Sequence, residues 1–108
     1  MKLLKIVGGE TVLGNIIICK NSREKTAGLI NTNGNVGAYL ETRWGIHTFG
    51  MKFSIDVFLL DKANRIIKIK KNIPPKRFFF WSPKYSKILE IPSALRLNLK
   101  IDDVLEFC

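Results

Sequence analysis

Three side chains in this sequence combine acid–base chemistry with an apolar sequence context: His47, Asp56 and Glu90. His47 is the only histidine, and an imidazole can serve as a general acid, a general base or a metal ligand near neutral pH. The two carboxylates each lie among apolar residues, at 55–60 and 88–91. An acid–base enzyme would need all three side chains to converge in one pocket. Whether they converge is a question of geometry that the sequence leaves open.

Two roles are open for Asp56. A carboxylate among apolar neighbours must accept hydrogen bonds or meet a positive charge, because burying it without a partner is strongly unfavourable. Asp56 either accepts backbone N–H groups from a neighbouring turn and so stabilises the fold, or acts as a general acid or base. The structural role is favoured, because no catalytic constellation with a diagnostic spacing occurs in the sequence.

The sequence offers few ligands for a metal ion. Beside His47 it has only Cys19 and Cys108 as nitrogen or sulfur ligands of the kind that zinc prefers, whereas a structural zinc site has about four ligands. We therefore expect no metal site and no cofactor, and a structural role for His47. An enzymatic function is less expected than a binding function, and no residue is assigned as catalytic.

The alternation of side chains over residues 55–60 predicts a strand packed on both faces. Similar patterns, separated by Gly, Asn and Pro, predict further strands, and a capping-box pattern predicts a short helix at 21–28. A helical turn is expected within 92–97. The predicted fold class is mostly β (a β-rich α+β domain), with a compact, mainly antiparallel, barrel-like sheet and one or two short helices. The strands are expected at 3–7, 11–19, 38–41, 55–60, 65–71, 87–91 and within 99–107.

Length and composition predict a single domain over residues 1–108. The hydrophobic fraction of 46% is typical of a globular protein. Uninterrupted apolar runs are far shorter than the roughly 20 residues that cross a bilayer, so no membrane span is expected. Gly8, Gly9 and Glu10 interrupt the opening residues before the apolar region of a signal peptide develops. Two cysteines far apart in the sequence suit a reducing compartment, which predicts a cytoplasmic protein.

Positive charge is concentrated in residues 62–87, which contain nine Lys or Arg and no Asp or Glu. Basic residues interleaved with aromatic residues are typical of surfaces that bind single-stranded nucleic acid. The residues of this alternative are Lys68, Lys70, Lys71, Lys76, Arg77 and Trp81. The other interpretation is that the aromatic block 78–81 fills the core while the lysines keep a sheet edge soluble. It is favoured, because nucleic-acid readers usually place aromatic residues on alternate strand positions.

Several short motifs resemble a known protein family. They are the H-T-F-G-M core at 47–51, I-D-V at 55–57, the Asp61 that closes that strand, the Leu89-Glu90 pair before Pro92, and L-K-I-D-D-V at 99–104. Together they are similar to the prokaryotic family known as domain of unknown function 192, from about residue 21 to the end. Four positions depart from the family pattern: Lys25, Ser54, Ala94 and Asp102. The resemblance implies a compact β-rich domain without an established activity.

The sequence as a whole predicts a small β-rich binding or interaction module. Its candidate pocket consists of His47, Met51, Asp56 and Glu90. The expected partners are an acidic protein or a nucleic acid, and the alternative function is nucleic-acid binding through the basic region 62–87.

Overall fold

The computed structural model describes residues 2–7, 9, 11–19, 29, 32, 34–43, 45–82 and 84–108. Within these residues the chain forms nine strands and one 3-10 turn at Ser93–Leu95. The strands are β1 (Lys2–Ile6), β2 (Thr11–Ile18), β3 (Gly37–Glu41), β4 (Gly45–His47), β5 (Ile55–Leu60), β6 (Ile66–Ile73), β7 (Phe78–Phe80), β8 (Lys87–Pro92) and β9 (Leu105–Phe107). The 3-10 turn confirms the helical turn expected within 92–97. The helix expected at 21–28 lies outside the described residues.

In the described part of the chain, seven strands form one sheet in the order β6-β5-β8-β3-β2-β1-β9. Neighbouring strands are antiparallel except β2 and β3, which run parallel. The two outermost strands, β6 and β9, meet just before each begins. Arg65 forms an antiparallel bridge with Val104, and the Ile66 N–H donates to the Asp103 carbonyl oxygen at 2.8 Å. The sheet thus curls back on itself, which confirms the predicted β-rich, mainly antiparallel and barrel-like fold.

Apolar side chains pack on both faces of the curled sheet. The inner cluster contains Leu4, Phe58 and Leu105, which come from strands at both ends of the strand order. The outer cluster contains Val57, and it lies on the opposite face because consecutive strand residues point to opposite sides. All six residues of β5 are buried, as expected for a strand that is covered on both faces. 

A separate two-stranded sheet covers the outer cluster. It consists of β4 and β7, which pair antiparallel with His47 opposite Phe78 and Gly45 opposite Phe80. Ile46 and Phe79, at the middle of the two strands, pack against the outer cluster. The flanking side chains therefore point away from the protein.

Candidate functional site

Asp56 is buried inside the curled sheet, where it holds two neighbouring segments in place. Its side chain is 5% exposed, and its Oδ1 atom accepts a hydrogen bond from the Asn72 N–H at 2.9 Å and another from the Ser93 hydroxyl at 2.7 Å. Asn72 has a left-handed backbone conformation (φ 57°) at a point where the β5–β6 register shifts. The carboxylate thus stabilises a β-bulge, in agreement with the structural role predicted for Asp56.

Glu90 lies on the other face of the sheet. It is opposite Val57 and Ala38, which both belong to the outer cluster, whereas Asp56 is opposite Ile91 of the inner cluster. Glu90 is 3% exposed, and its Oε1 atom has no hydrogen-bond partner among the residues that the structure describes. Burial raises the pKa of this carboxyl to about 7. Near neutral pH it is therefore divided between the protonated and ionised forms.

The four residues of the predicted pocket do not come together. Met51 is buried in the outer cluster, and His47 is exposed on the outward face of β4. Asp56 faces the inner cluster, so the sheet itself separates it from Glu90. The convergence of His47, Asp56 and Glu90 that acid–base catalysis would need is absent from this structure. Within the described ranges, no three His, Cys, Asp or Glu side chains are grouped in a way that could hold a metal ion.

The outward face of the β4–β7 sheet carries a row of aromatic side chains. Phe78 and Phe80 are stacked, with ring centroids 5.7 Å apart and planes 8° apart. Phe49 meets Phe78 edge-on at 5.1 Å, and His47 lies 5.7 Å from Phe49. Phe49, Phe78 and Phe80 are 43%, 61% and 66% exposed. We call this row of His47, Phe49, Phe78 and Phe80 the aromatic ladder.

Thr48 fixes the position of the aromatic ladder. Its side chain is 1% exposed; its hydroxyl donates to the Pro74 carbonyl oxygen at 2.7 Å and accepts from the Arg77 N–H at 2.9 Å. The Thr48 N–H donates to the Arg77 carbonyl oxygen at 2.8 Å. These bonds join the end of β4 to the start of β7. The sequence signal for this role is a lone threonine between a histidine and a phenylalanine, which by itself indicates no particular function.

Gly45 allows the other end of the two strands to approach closely. A Cβ atom at this position would lie 2.5 Å from the Phe79 carbonyl oxygen and 2.7 Å from a ring carbon of Phe80. Such distances are far below van der Waals contact, so only glycine fits without a shift of the backbone. Phe80 can therefore lie directly against β4 at Gly45.

Basic residues lie at the start of β7 and on the outer face of β6. Lys76 and Arg77 directly precede β7, and the Lys76 N–H donates to the Thr48 carbonyl oxygen at 3.2 Å. Lys68 on β6 places its ammonium group 5.8 Å from the centroid of the Phe79 ring. Lys70 is opposite Val57 and so shares the outer face with Lys68. Lys76 and Arg77 thus adjoin the ladder in the chain, whereas Lys68 lies against Phe79, on the other face of the β4–β7 sheet from the ladder.

Two residues of the predicted nucleic-acid surface lie elsewhere. Trp81 is only 7% exposed and belongs to the outer cluster, where its Nε1–H donates to the Tyr85 carbonyl oxygen at 2.9 Å. It cannot stack on a base without leaving the core. Lys71 lies opposite Asp56 in the β-bulge and so on the other face of β6 from Lys70.

The interpretation of block 78–81 as core is correct for alternate residues only. Phe79 and Trp81 pack inside, whereas Phe78 and Phe80 form the surface. An alternation with a period of two is visible in the sequence only if β7 is recognised as a strand, and four consecutive aromatic residues conceal it.

The fold and the surface define a small β-rich module with an exposed aromatic ladder. Its fold is similar to that of a candidate transcription regulator from Sinorhizobium meliloti 1021, with a TM-score of 0.78 and 16% sequence identity, over 98% of this chain and 91% of that protein. It is also similar to a protein of unknown function from Novosphingobium aromaticivorans DSM 12444, with a TM-score of 0.76 and 19% identity, over 97% of this chain and 82% of the other. At these identities the similarity concerns the fold alone.

Sequence comparisons give no further assignment. No family model and no curated protein matches this sequence. No helix in the described residues is long and apolar enough to span a membrane.

Proposed function

We propose that this module binds single-stranded nucleic acid along the aromatic ladder. The observation that carries the proposal is the pair of stacked, exposed rings of Phe78 and Phe80, which occupy alternate positions of one strand. Surfaces that read single strands use this spacing, because bases stack on rings that point to the same side of a sheet. Phe49 and His47 extend the row, so that the surface offers several successive rings.

The charge of the surrounding surface supports a nucleic acid as the partner. The region 62–87 contributes nine positive charges and no negative charge, and Lys76 and Arg77 directly precede β7, the strand that carries Phe78 and Phe80. Cations bind the phosphates, and the rings bind the bases. An acidic protein would satisfy the cations but would leave the exposed rings without a specific partner. The fold similarity to a candidate transcription regulator does not carry the proposal, which depends on the surface of this chain.

Two predictions from the sequence stay proposals. The motifs at 47–51 and 99–104 support membership of the family known as domain of unknown function 192. The sparse cysteines support a cytoplasmic location, a compartment in which single-stranded RNA is available.

The test is fluorescence anisotropy with a labelled single-stranded oligonucleotide, measured at several salt concentrations. Phe78→Ala and Phe80→Ala should each weaken binding by about 1–3 kcal/mol, the usual value for one base stacked on an aromatic ring. The loss should persist at high salt, because it does not arise from charge. Lys76→Gln should instead reduce the slope of log affinity against log salt concentration by about one, because one phosphate contact is lost. Ile101→Ala, which shortens an exposed apolar residue away from the ladder, is the matched control.

The proposal fails if both phenylalanine variants bind as tightly as the unmodified protein, or if a polyglutamate peptide binds as well as the oligonucleotide. Either outcome would leave only a general attraction between charges, to which the phenylalanine rings add no recognition of bases.

A further inference from the structure

A basic cleft lies at the turn end of the β5–β6 hairpin, apart from the aromatic ladder. Its volume is about 550 Å³, and its lining includes Arg43, Lys62, Lys84, Tyr85, Ser86 and Lys87. No residue of the ladder contributes to this lining. The volume falls in the range of roughly 300–1,000 Å³ that is usual for small-molecule sites.

The charges of the cleft favour an anion. Arg43, Lys62, Lys84 and Lys87 contribute four positive charges, and among the lining residues that the structure describes Asp61 is the one acidic residue. Asp61 is engaged in the hairpin turn, since its Oδ1 atom accepts the N–H groups of Ala63 and Arg65, both at 2.9 Å. The cleft thus has a positive charge that its own carboxylate does not balance.

Lys87 is held in position by the same turn. Its ammonium group donates to the Lys62 carbonyl oxygen at 3.2 Å and to Asn64 Oδ1 at 3.1 Å. Asn64 can present its side chain there because it adopts the left-handed conformation (φ 63°). A lysine ammonium has three N–H donors, so one donor of Lys87 is left for a ligand. A cation fixed in this way loses less conformational entropy on binding than a freely moving one.

The opposite wall is also anchored, and it adds an aromatic ring. The Tyr85 carbonyl oxygen accepts the Trp81 indole N–H, and the Ser86 carbonyl oxygen accepts the Thr42 N–H at 2.8 Å. The ammonium of Lys84 lies 5.7 Å from the centroid of the Tyr85 ring. A fixed backbone on both sides of the cleft makes it a preformed site.

We propose that this basic cleft binds a phosphate monoester carried by an organic molecule. A guanidinium and several ammonium groups match the geometry and charge of a phosphate. The volume, together with apolar contributions from Leu60 and Ala63, leaves room for an organic body beside the phosphate. The phosphate monoester could belong to a small molecule or to the 5′ end of a nucleic-acid strand, and the experiment separates these sources. The proposal does not depend on the function of the aromatic ladder.

The test is a titration of the isotope-labelled protein, followed by the amide resonances of Ala63 and Ser86 and by the indole N–H resonance of Trp81. The probes are adenosine 5′-monophosphate, adenosine and inorganic phosphate. Adenosine 5′-monophosphate should cause saturable shifts at all three positions, and adenosine should cause none. Inorganic phosphate should shift them at higher concentration. A second pair of probes, one oligonucleotide with and without a 5′-phosphate, shows whether a strand end reaches the same site.

Arg43→Gln and Lys62→Gln should each weaken the binding of adenosine 5′-monophosphate roughly tenfold, as expected for the loss of one charge-assisted hydrogen bond. Both residues are exposed, so the variants should fold. Lys71→Gln removes the same charge at the far end of β6 and should leave this affinity unchanged. The proposal is overturned if adenosine shifts the three resonances as adenosine 5′-monophosphate does, if no shift saturates, or if Lys71→Gln weakens binding as much as Lys62→Gln.

Discussion

Glu90→Gln tests how a buried carboxyl links the stability of this protein to pH. Glu90 is 3% exposed, and burial raises its pKa from an ordinary 4.5 to about 7. In the unfolded chain the carboxyl loses its proton near pH 4.5, but in the folded protein it keeps the proton until about pH 7. The folded state therefore binds more protons than the unfolded state between these two pH values.

The direction of the effect follows from this difference in proton binding. Below pH 4.5 both states are protonated, and Glu90 gives no pH dependence. Between pH 4.5 and about 7 the contribution of Glu90 to the free energy of unfolding falls as the pH rises, and above that it stays low. Each pH unit between the two pKa values corresponds to about 1.4 kcal/mol, so the total loss is about 3 kcal/mol.

Glutamine has the shape of the protonated carboxyl and does not ionise. At pH 4.5 Glu90→Gln should therefore differ little from the unmodified protein, and at pH 8 it should be more stable by about 3 kcal/mol. The assay is urea-induced unfolding, followed by tryptophan fluorescence at several pH values. At each pH, the free energy of unfolding of the unmodified protein is subtracted from that of Glu90→Gln. The difference cancels the contributions of the titratable groups that both proteins share.

Glu106→Gln is the matched control, since it removes an exposed carboxylate from β9 and changes the net charge by the same amount. A Glu90→Gln difference that stays constant from pH 4.5 to 8 would refute the reasoning. So would a control that shows the same slope, because the effect would then come from net charge and not from burial.

Four further predictions follow from individual contacts. Asp56→Ala should lower the free energy of unfolding by about 1–3 kcal/mol, because it leaves the Asn72 N–H without its acceptor; unchanged urea unfolding would contradict this. Thr48→Val should lower stability by about 1–3 kcal/mol and weaken oligonucleotide binding, whereas a purely local role would leave binding unchanged. Gly45→Ala should lower the free energy of unfolding by about 1–3 kcal/mol, because the added Cβ clashes with the Phe79 carbonyl oxygen. A variant as stable as the unmodified protein in thermal unfolding would contradict this, because it would show that the two strands can shift apart. Treatment with a chelator should not change the thermal unfolding midpoint, and about one equivalent of tightly held zinc or iron would contradict the expectation from the sequence that there is no metal site.

The sequence was sufficient to predict the fold class and the role of Asp56. Alternation over 55–60 indicates a strand buried on both faces, and a carboxylate in such a strand must find donors, here the Asn72 N–H and the Ser93 hydroxyl. Both inferences use only the pattern within residues 55–60, although the donors themselves lie 16 and 37 positions away in the sequence. The physical constraint is local, so the sequence pattern contains it.

The sequence could not show whether the residues of the candidate pocket lie on one face of the sheet. Whether Asp56 and Glu90 share a face depends on the register of β5 against β8, and a slip of one residue exchanges the two faces. The aromatic ladder depends on the pairing of His47 with Phe78, which are distant in sequence and joined through Thr48. Neither pairing leaves a signal in a single sequence, because the apolar patterns of these strands permit more than one register.

The pairing of β1 with β9 joins two segments that are far apart in the sequence, which affects how the sheet can form. Leu4 lies opposite Phe107, so the outer edge of β1 is hydrogen-bonded only when a segment far away in the sequence has reached it. Contacts between such distant segments form slowly, because a large loop must close first. During that time the N–H and C=O groups of β1 can pair with another chain. Once the three residues of β9 have paired with β1, they close this edge against pairing with another chain.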